Sequence, residues 1–126
     1  MKSFLKFFLL YLLLLFFTFR SLLLGIRTNL IDWFDYPLML WIMYQSISKI
    51  SSLQFTHFFN TTSFYPYTNT LFFSDLLLPQ AILAWPIFAL TQNLILSFNL
   101  VFILTLILNY IGAYLFWKKL FKSNII

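Results

Sequence analysis

"LILSFNLVFILTLILNYIGAYLFW", residues 94–117, runs for 24 positions without a charge and is closed by Lys118, Lys119 and Lys122. As an α-helix it would reach about 36 Å, more than the hydrocarbon core of a bilayer. This stretch decides the class: an all-α integral membrane protein. Asn99 and Asn109 inside it suit hydrogen bonds between helices of a bundle.

Working outward, the composition agrees. The chain is 62% hydrophobic, 23% aromatic and only 9% charged, whereas soluble domains are roughly a quarter charged. The net charge of +5 would suggest nucleic acid in a soluble chain. Here no basic cluster interleaves with a polar helix face, so nucleic acid is not expected as a partner. Basic residues beside spans mark the cytoplasmic side instead. No Cys, one His and two Gly exclude a disulfide framework, a zinc cluster and a Gly-rich phosphate loop.

A second span is expected at residues 7–26, behind Lys2 and Lys6, with Arg20 snorkelling outward along its stem. A secretory signal would share that pattern. The exit, Leu24-Gly25-Ile26-Arg27, offers no small-x-small cleavage site, which favours an uncleaved anchor. Residues 28–93 then form an outer loop. Within it, 76–90 is apolar but only 15 residues long and holds Pro79 and Pro86. That length suits an interfacial or re-entrant segment. Two spans put Lys2, Lys6, Lys118, Lys119 and Lys122 on one side, five of the eight basic residues. Both termini, including the tail 118–126, are therefore expected in the cytoplasm. A full crossing by 76–90 would turn the C-terminal lysines outward.

The loop opens with "LIDWFDYPLMLWIMYQ", residues 30–45, which holds Asp32 and Asp35, two of the three carboxylates in the chain. A helix is expected at about 37–50, with Asp35 near its N-cap, Pro37 near N1, and Trp41 and Tyr44 at headgroup level. Tyr65-Pro66-Tyr67 and Thr68-Asn69-Thr70 read as turns. Asn60-Thr61-Thr62 matches a glycosylation tripeptide that is common by chance. Asp75 is placed to cap the 76–90 helix, and His57, among Phe55, Phe58 and Phe59, reads as a partly buried, hydrogen-bonded side chain. The sequence stops soon after the second span, which reads as the start of a longer membrane protein.

The order of these features resembles the N-terminal part of GT-C-type multi-span membrane glycosyltransferases. Those proteins open with an N-in span, then an outer loop beginning with acids, juxtamembrane helices, and a second span ending in basic residues. More locally, "FDYPLMLWIMYQSI", "NTTSFYPYTNTLFFSDLLLPQAILAWPIFALTQNLILSFNL" and "YLFWKKLF" resemble a group of bacterial uncharacterised membrane proteins placed near that superfamily. The resemblance covers about residues 28–121 and implies a bacterial plasma-membrane location. It departs from the mannosyltransferase-like pattern, whose acids are adjacent; these lie three apart.

The resemblance implies transfer of a sugar from a polyprenyl-phosphate donor at the outer face; the family carries many spans, so this chain is expected to be an N-terminal piece, inactive alone. Asp35 would take the acceptor proton, and Asp32 would assist or hold a divalent cation; no other cofactor is expected. His57, Tyr65, Tyr67 and Asp75 are the candidate substrate contacts, each with a plainer reading as a buried His, belt aromatics or a helix cap. Lys49, Arg27 and Arg20 could meet a lipid phosphate; interface anchoring is the preferred reading. The alternative function is a non-catalytic membrane scaffold or small partner subunit. A transporter ranks last, for want of acids inside the spans or paired broken helices. Sugar, acceptor and oligomeric state are not legible here.

Overall fold

A computed structural model of the chain describes residues 2–31, 34–61, 66–73 and 75–121, and among these all regular structure is helical. Five α-helices follow in order: α1 (Lys2–Thr18), α2 (Arg20–Leu24), α3 (Tyr36–Ser51), α4 (Leu78–Thr91) and α5 (Leu94–Phe121), with a 3₁₀ turn at Thr70–Phe73. Among the described residues α5 is the one helix long and apolar enough to cross a membrane. It continues past residue 117 through Lys118 and Lys119 into a 28-residue helix.

The N-terminal apolar run begins its helix at Lys2, ahead of the expected 7–26, and is interrupted at Phe19. The interruption is slight. Phe19 N donates to Leu15 O and Leu23 N to Phe19 O, both at 2.9 Å, so i→i−4 bonding passes through it. α1 packs antiparallel to α5 through rings. Phe4 meets Tyr114 at 4.6 Å between centroids, Phe8 meets Tyr110 at 5.6 Å, and Tyr11 stacks on Tyr110 at 4.6 Å. Phe19 meets Phe102 edge-on at 5.4 Å. The Tyr11 hydroxyl also donates to Leu106 O at 2.8 Å. Lys6 thus shares one end of the pair with Lys118 and Lys119, while Arg20 and Arg27 mark the other.

α3, α4 and the first part of α5 form the tightest packing. Their shared core is Met43, Ile47, Ala81, Ala84 and Val101, flanked by Leu77, Ile87, Phe88, Leu94 and Phe98. Small residues make the approach possible: Ser46, Ala81, Ala84 and Ser97 are fully buried, as at helix contacts in membranes, where small side chains let backbones close up. Residues 92 and 93 connect α4 to α5. Gln92 adopts left-handed backbone (φ 52) and its N–H donates to Phe88 O. Asn93 caps α5, its Oδ1 accepting from Leu96 N at 2.8 Å.

Two cap expectations are corrected. Asp35 occupies the N-cap position of α3 but makes no side-chain cap hydrogen bond. Its backbone is already helical (φ −89, ψ −32), so the carboxylate is not turned back over the first turn. Pro37 also removes one of the N–H groups a cap would meet. Asp75 is no cap either. α4 starts at Leu78 with Leu77 as its N-cap residue, because Pro79 sits comfortably only in the first turn and disfavours helix before it.

Candidate functional site

A partly open cleft of about 200 Å³ lies between α3, α4 and α5. Met39, Met43, Leu77, Phe98, Val101 and Phe102 make its walls apolar, and Tyr36, Gln80 and Thr105 add polar atoms. The α5 contributions, Phe98 to Thr105, lie about 6 to 17 Å from the start of that helix at 1.5 Å per residue. Tyr36 meets Phe98 edge-on at 5.5 Å and Phe102 at 6.4 Å, which holds the first turn of α3 against α5. Asp35, exposed, directly precedes Tyr36. An exposed carboxylate is therefore next in sequence to a residue lining an oily cleft. The cleft can hold an apolar chain, and a potential proton acceptor lies one residue from its lining.

The cleft is braced at the Arg20 and Arg27 end by an amide network. Asn99, fully buried, donates through Nδ2 to Ile26 O and Asn29 O, both at 2.9 Å. Asn93 Nδ2 reaches Arg27 O at 3.2 Å, and Asn29 Nδ2 reaches Ser21 O at 3.0 Å. Gly25 is required for the last of these contacts, since a Cβ there would collide with the Asn29 carboxamide. The network pins the exit of α2 to the beginning of α5. The sequence marked Asn99 as a helix–helix bonding residue; its partners are instead backbone carbonyls of the turn that follows α2.

A second brace holds the connection from α3 to α4. The Lys49 ammonium donates to the carbonyls of His57, Phe58 and Asn60 and lies 5.8 Å from the Phe58 ring centroid. Three N–H donors thus meet three acceptors. Burial pushes the Lys49 pKa below its ordinary value of 10.5. Lys49 is therefore a structural clamp in this fold, and its charge is spent on backbone carbonyls. Asn60 Oδ1 accepts from Asn69 N at 2.7 Å, and Thr61 and Thr70 bond through their hydroxyls at 2.8 Å, which closes the loop. The Trp85 indole donates to Ser51 Oγ at 3.0 Å, tying α4 to the end of α3.

The residues expected at the site do not all gather there. His57 is exposed rather than partly buried, on a left-handed backbone (φ 56) that turns it outward; its carbonyl, not its ring, accepts the Lys49 bond. Tyr67 and Asp75 are exposed on the same connection, and neither lines the cleft. Asp32 and Tyr65 lie outside the described residues, as does Thr62 of the glycosylation tripeptide. Thr70, expected in a turn, starts the 3₁₀ helix and is buried. Among the described residues no three His, Cys, Asp or Glu side chains gather to hold a metal ion. Tyr36, Met39, Gln80 and Phe98 were not anticipated as a site. The Ala81 and Ala84 spacing, which the sequence reading did not use, is a signal that could have pointed to close helix packing here.

Compared with family models, curated proteins and solved structures, the chain matches none of them.

Proposed function

We propose that this chain crosses the membrane twice and acts at the outer face on a lipid-linked substrate, as the GT-C-type glycosyltransferase resemblance implies. α1 with α2 is the first span in this reading and α5 the second. Helical bonding through Phe19 and the antiparallel rings between α1 and α5 support it. The uncharged residues 7–19, the rest of α1 with Phe19, extend about 20 Å, and residues 102–117 of α5 a little more. Snorkelling Lys6, Arg20 and Lys118 extend that band toward a full hydrocarbon core. The cleft then lies where the band meets the outer headgroups.

The observation that carries the reading is the apolar cleft lined by Tyr36, the residue that follows the exposed Asp35. Its walls suit a segment of polyprenyl chain. Asp35 would accept the proton of the attacking hydroxyl while the sugar leaves its phosphate carrier with inversion. Arg20 and Arg27, at the same end of the α1–α5 pair, would face that phosphate.

The test uses the full chain in vesicles carrying a photoreactive polyprenyl-phosphate sugar. Labelling of Met39, Met43 or Phe98, reduced by Met43→Trp, is the expected result. Asp35→Asn should leave labelling intact, and the matching substitution in a longer multi-span homologue should remove transfer of a radiolabelled sugar to acceptor. Transfer at the wild-type rate in that homologue variant would take Asp35 out of the chemistry, and absence of label in the cleft would take the lipid out of it. Reporter fusions after Asn69 and after Lys122 check the topology; reports from the same side would end the two-span reading.

A non-catalytic membrane scaffold is the second reading. The scatter of Asp35, His57, Tyr67 and Asp75, all exposed, favours it. Binding of lipid in the cleft without any transfer would select it.

A further inference from the structure

The connection between α3 and α4 is uncharged: from Ser51 to Ser74 the sequence holds no Asp, Glu, Lys or Arg. Several of its apolar side chains are nevertheless turned out. Leu53 is 74% exposed and Phe55 65%, and Tyr67, Phe72 and Phe73 are exposed as well. In water such a patch would be an aggregation liability.

Leu53 adds an independent sign. It follows the end of α3, where Leu53 N donates to Ile50 O at 3.2 Å and Gln54 N to Lys49 O at 3.0 Å. This is the Schellman arrangement, whose left-handed position usually belongs to glycine. Leu53 takes it with φ 55, at a strain of about 1 kcal/mol. A side chain that is both strained and exposed points to a contact outside the chain.

Part of the described backbone of this connection, meanwhile, is served from within the chain. Lys49 serves the carbonyls of His57, Phe58 and Asn60, Leu71 N donates to Phe59 O at 2.9 Å, and Phe59 stacks on Phe72 at 4.3 Å. Irregular backbone tolerates a lipid boundary only when its polar groups are served from within.

We propose that residues 53–59 and 66–73 form a membrane anchor seated at the headgroup–acyl boundary of the outer leaflet, with Leu53, Phe55, Phe72 and Phe73 as the inserted side chains. The proposal rests on the membrane placement given above. Lipid is the occupant because α5 is long and apolar enough to cross a bilayer, residues 51–74 hold no Asp, Glu, Lys or Arg, and the Lys49 ammonium is directed inward. The anchor would hold α3 and α4, and with them the cleft, at a set depth.

The chain has no cysteine, so Leu53→Cys, Phe55→Cys and Phe72→Cys each give a single site for an environment-sensitive fluorophore. The labelled full chain is placed in phosphatidylcholine vesicles with a minor share of phosphatidylglycerol. Flotation and circular dichroism verify that it is bound and helical. The expected result is blue-shifted emission, most of it lost when the host lipid is replaced by shallow-brominated phosphatidylcholine and little lost to aqueous iodide. Full quenching by iodide with none by brominated lipid, in a chain that floats with the vesicles, overturns the anchor while leaving the spans intact. Protection from both quenchers that disappears on dilution in lipid assigns the patch to a second copy and also overturns it. A chain that does not float overturns the membrane placement itself.

Discussion

At the scale of single residues, the amides decide more than the acids. Asn99 is fully buried, and its Nδ2 serves two backbone carbonyls that no helix satisfies. Removing the donors leaves those carbonyls short of partners, at about 1–3 kcal/mol. Asn99→Ala should therefore lower stability by roughly that amount in SDS-titration unfolding. Asn99→Asp should do at least as much harm, since it keeps the shape but sets an acceptor against two acceptors. An unchanged unfolding midpoint in Asn99→Asp would remove the network from the account. The sequence could flag Asn99 because an amide in a span is rare, but its partners lie 70 and 73 positions away, and no local pattern names them. The cap reading of Asp75 and the partly buried reading of His57 failed for local reasons: Pro79 moved the helix start downstream, and the left-handed backbone of His57 turns it outward.

At the scale of elements, α4 works as a narrow wedge between α3 and α5. Ala81 and Ala84 are fully buried at the contact, whereas Ile82 on the same helix is 55% exposed. Ala84→Leu should cost about 1–3 kcal/mol by overpacking, and Ile82→Ala should stay within about 0.5 kcal/mol, both read by chemical unfolding in one detergent. Equal effects from the two would contradict the packing.

The α3–α4 connection supplies a pH test. Burial lowers the Lys49 pKa in the folded chain, so in the window between that value and 10.5 the unfolded chain holds more protons. Stability then rises with pH across that window, and below it the burial cost of the ammonium is fully present. The wild type minus Lys49→Met stability difference should rise over that range and level off above 10.5. A difference that falls as pH rises would contradict the burial. Hydrogen exchange at residues 57–60 should also speed up in Lys49→Met. The helices themselves were legible to within a few residues from apolar runs and prolines. The clamp was not, because a lysine at a helix end looks the same whether it faces water or a loop.

At the scale of the whole molecule, α1 and α5 hold together along their length through rings. Tyr110 is central, touching Phe4, Phe8 and Tyr11. At about 0.5–1.5 kcal/mol for each aromatic pair, Tyr110→Ala should loosen α1 measurably. Crosslinking between cysteines at Phe8 and Leu106 should fall in that variant while the α3–α4–α5 core keeps its unfolding profile. Simultaneous loss of both would mean that the two halves are one cooperative unit. The same ring ladder sets Lys6, Lys118 and Lys119 at one end, the arrangement on which the proposed topology depends.

The sequence by itself determined that this chain is helical, that residues 94–117 lie in a helix able to cross a bilayer, and that short apolar helices occupy the stretch between 36 and 91. Those features follow from runs of one residue type and from proline placement, which act over a few neighbouring positions. Only the tertiary structure decided that α4 wedges between α3 and α5 to leave a cleft beside Tyr36, that Asn99 braces the turn after α2, and that Lys49 clamps the loop. Each of these depends on contacts between positions distant in sequence, chosen by side-chain volume and unmet hydrogen bonds, and such contacts exist only once the helices have packed.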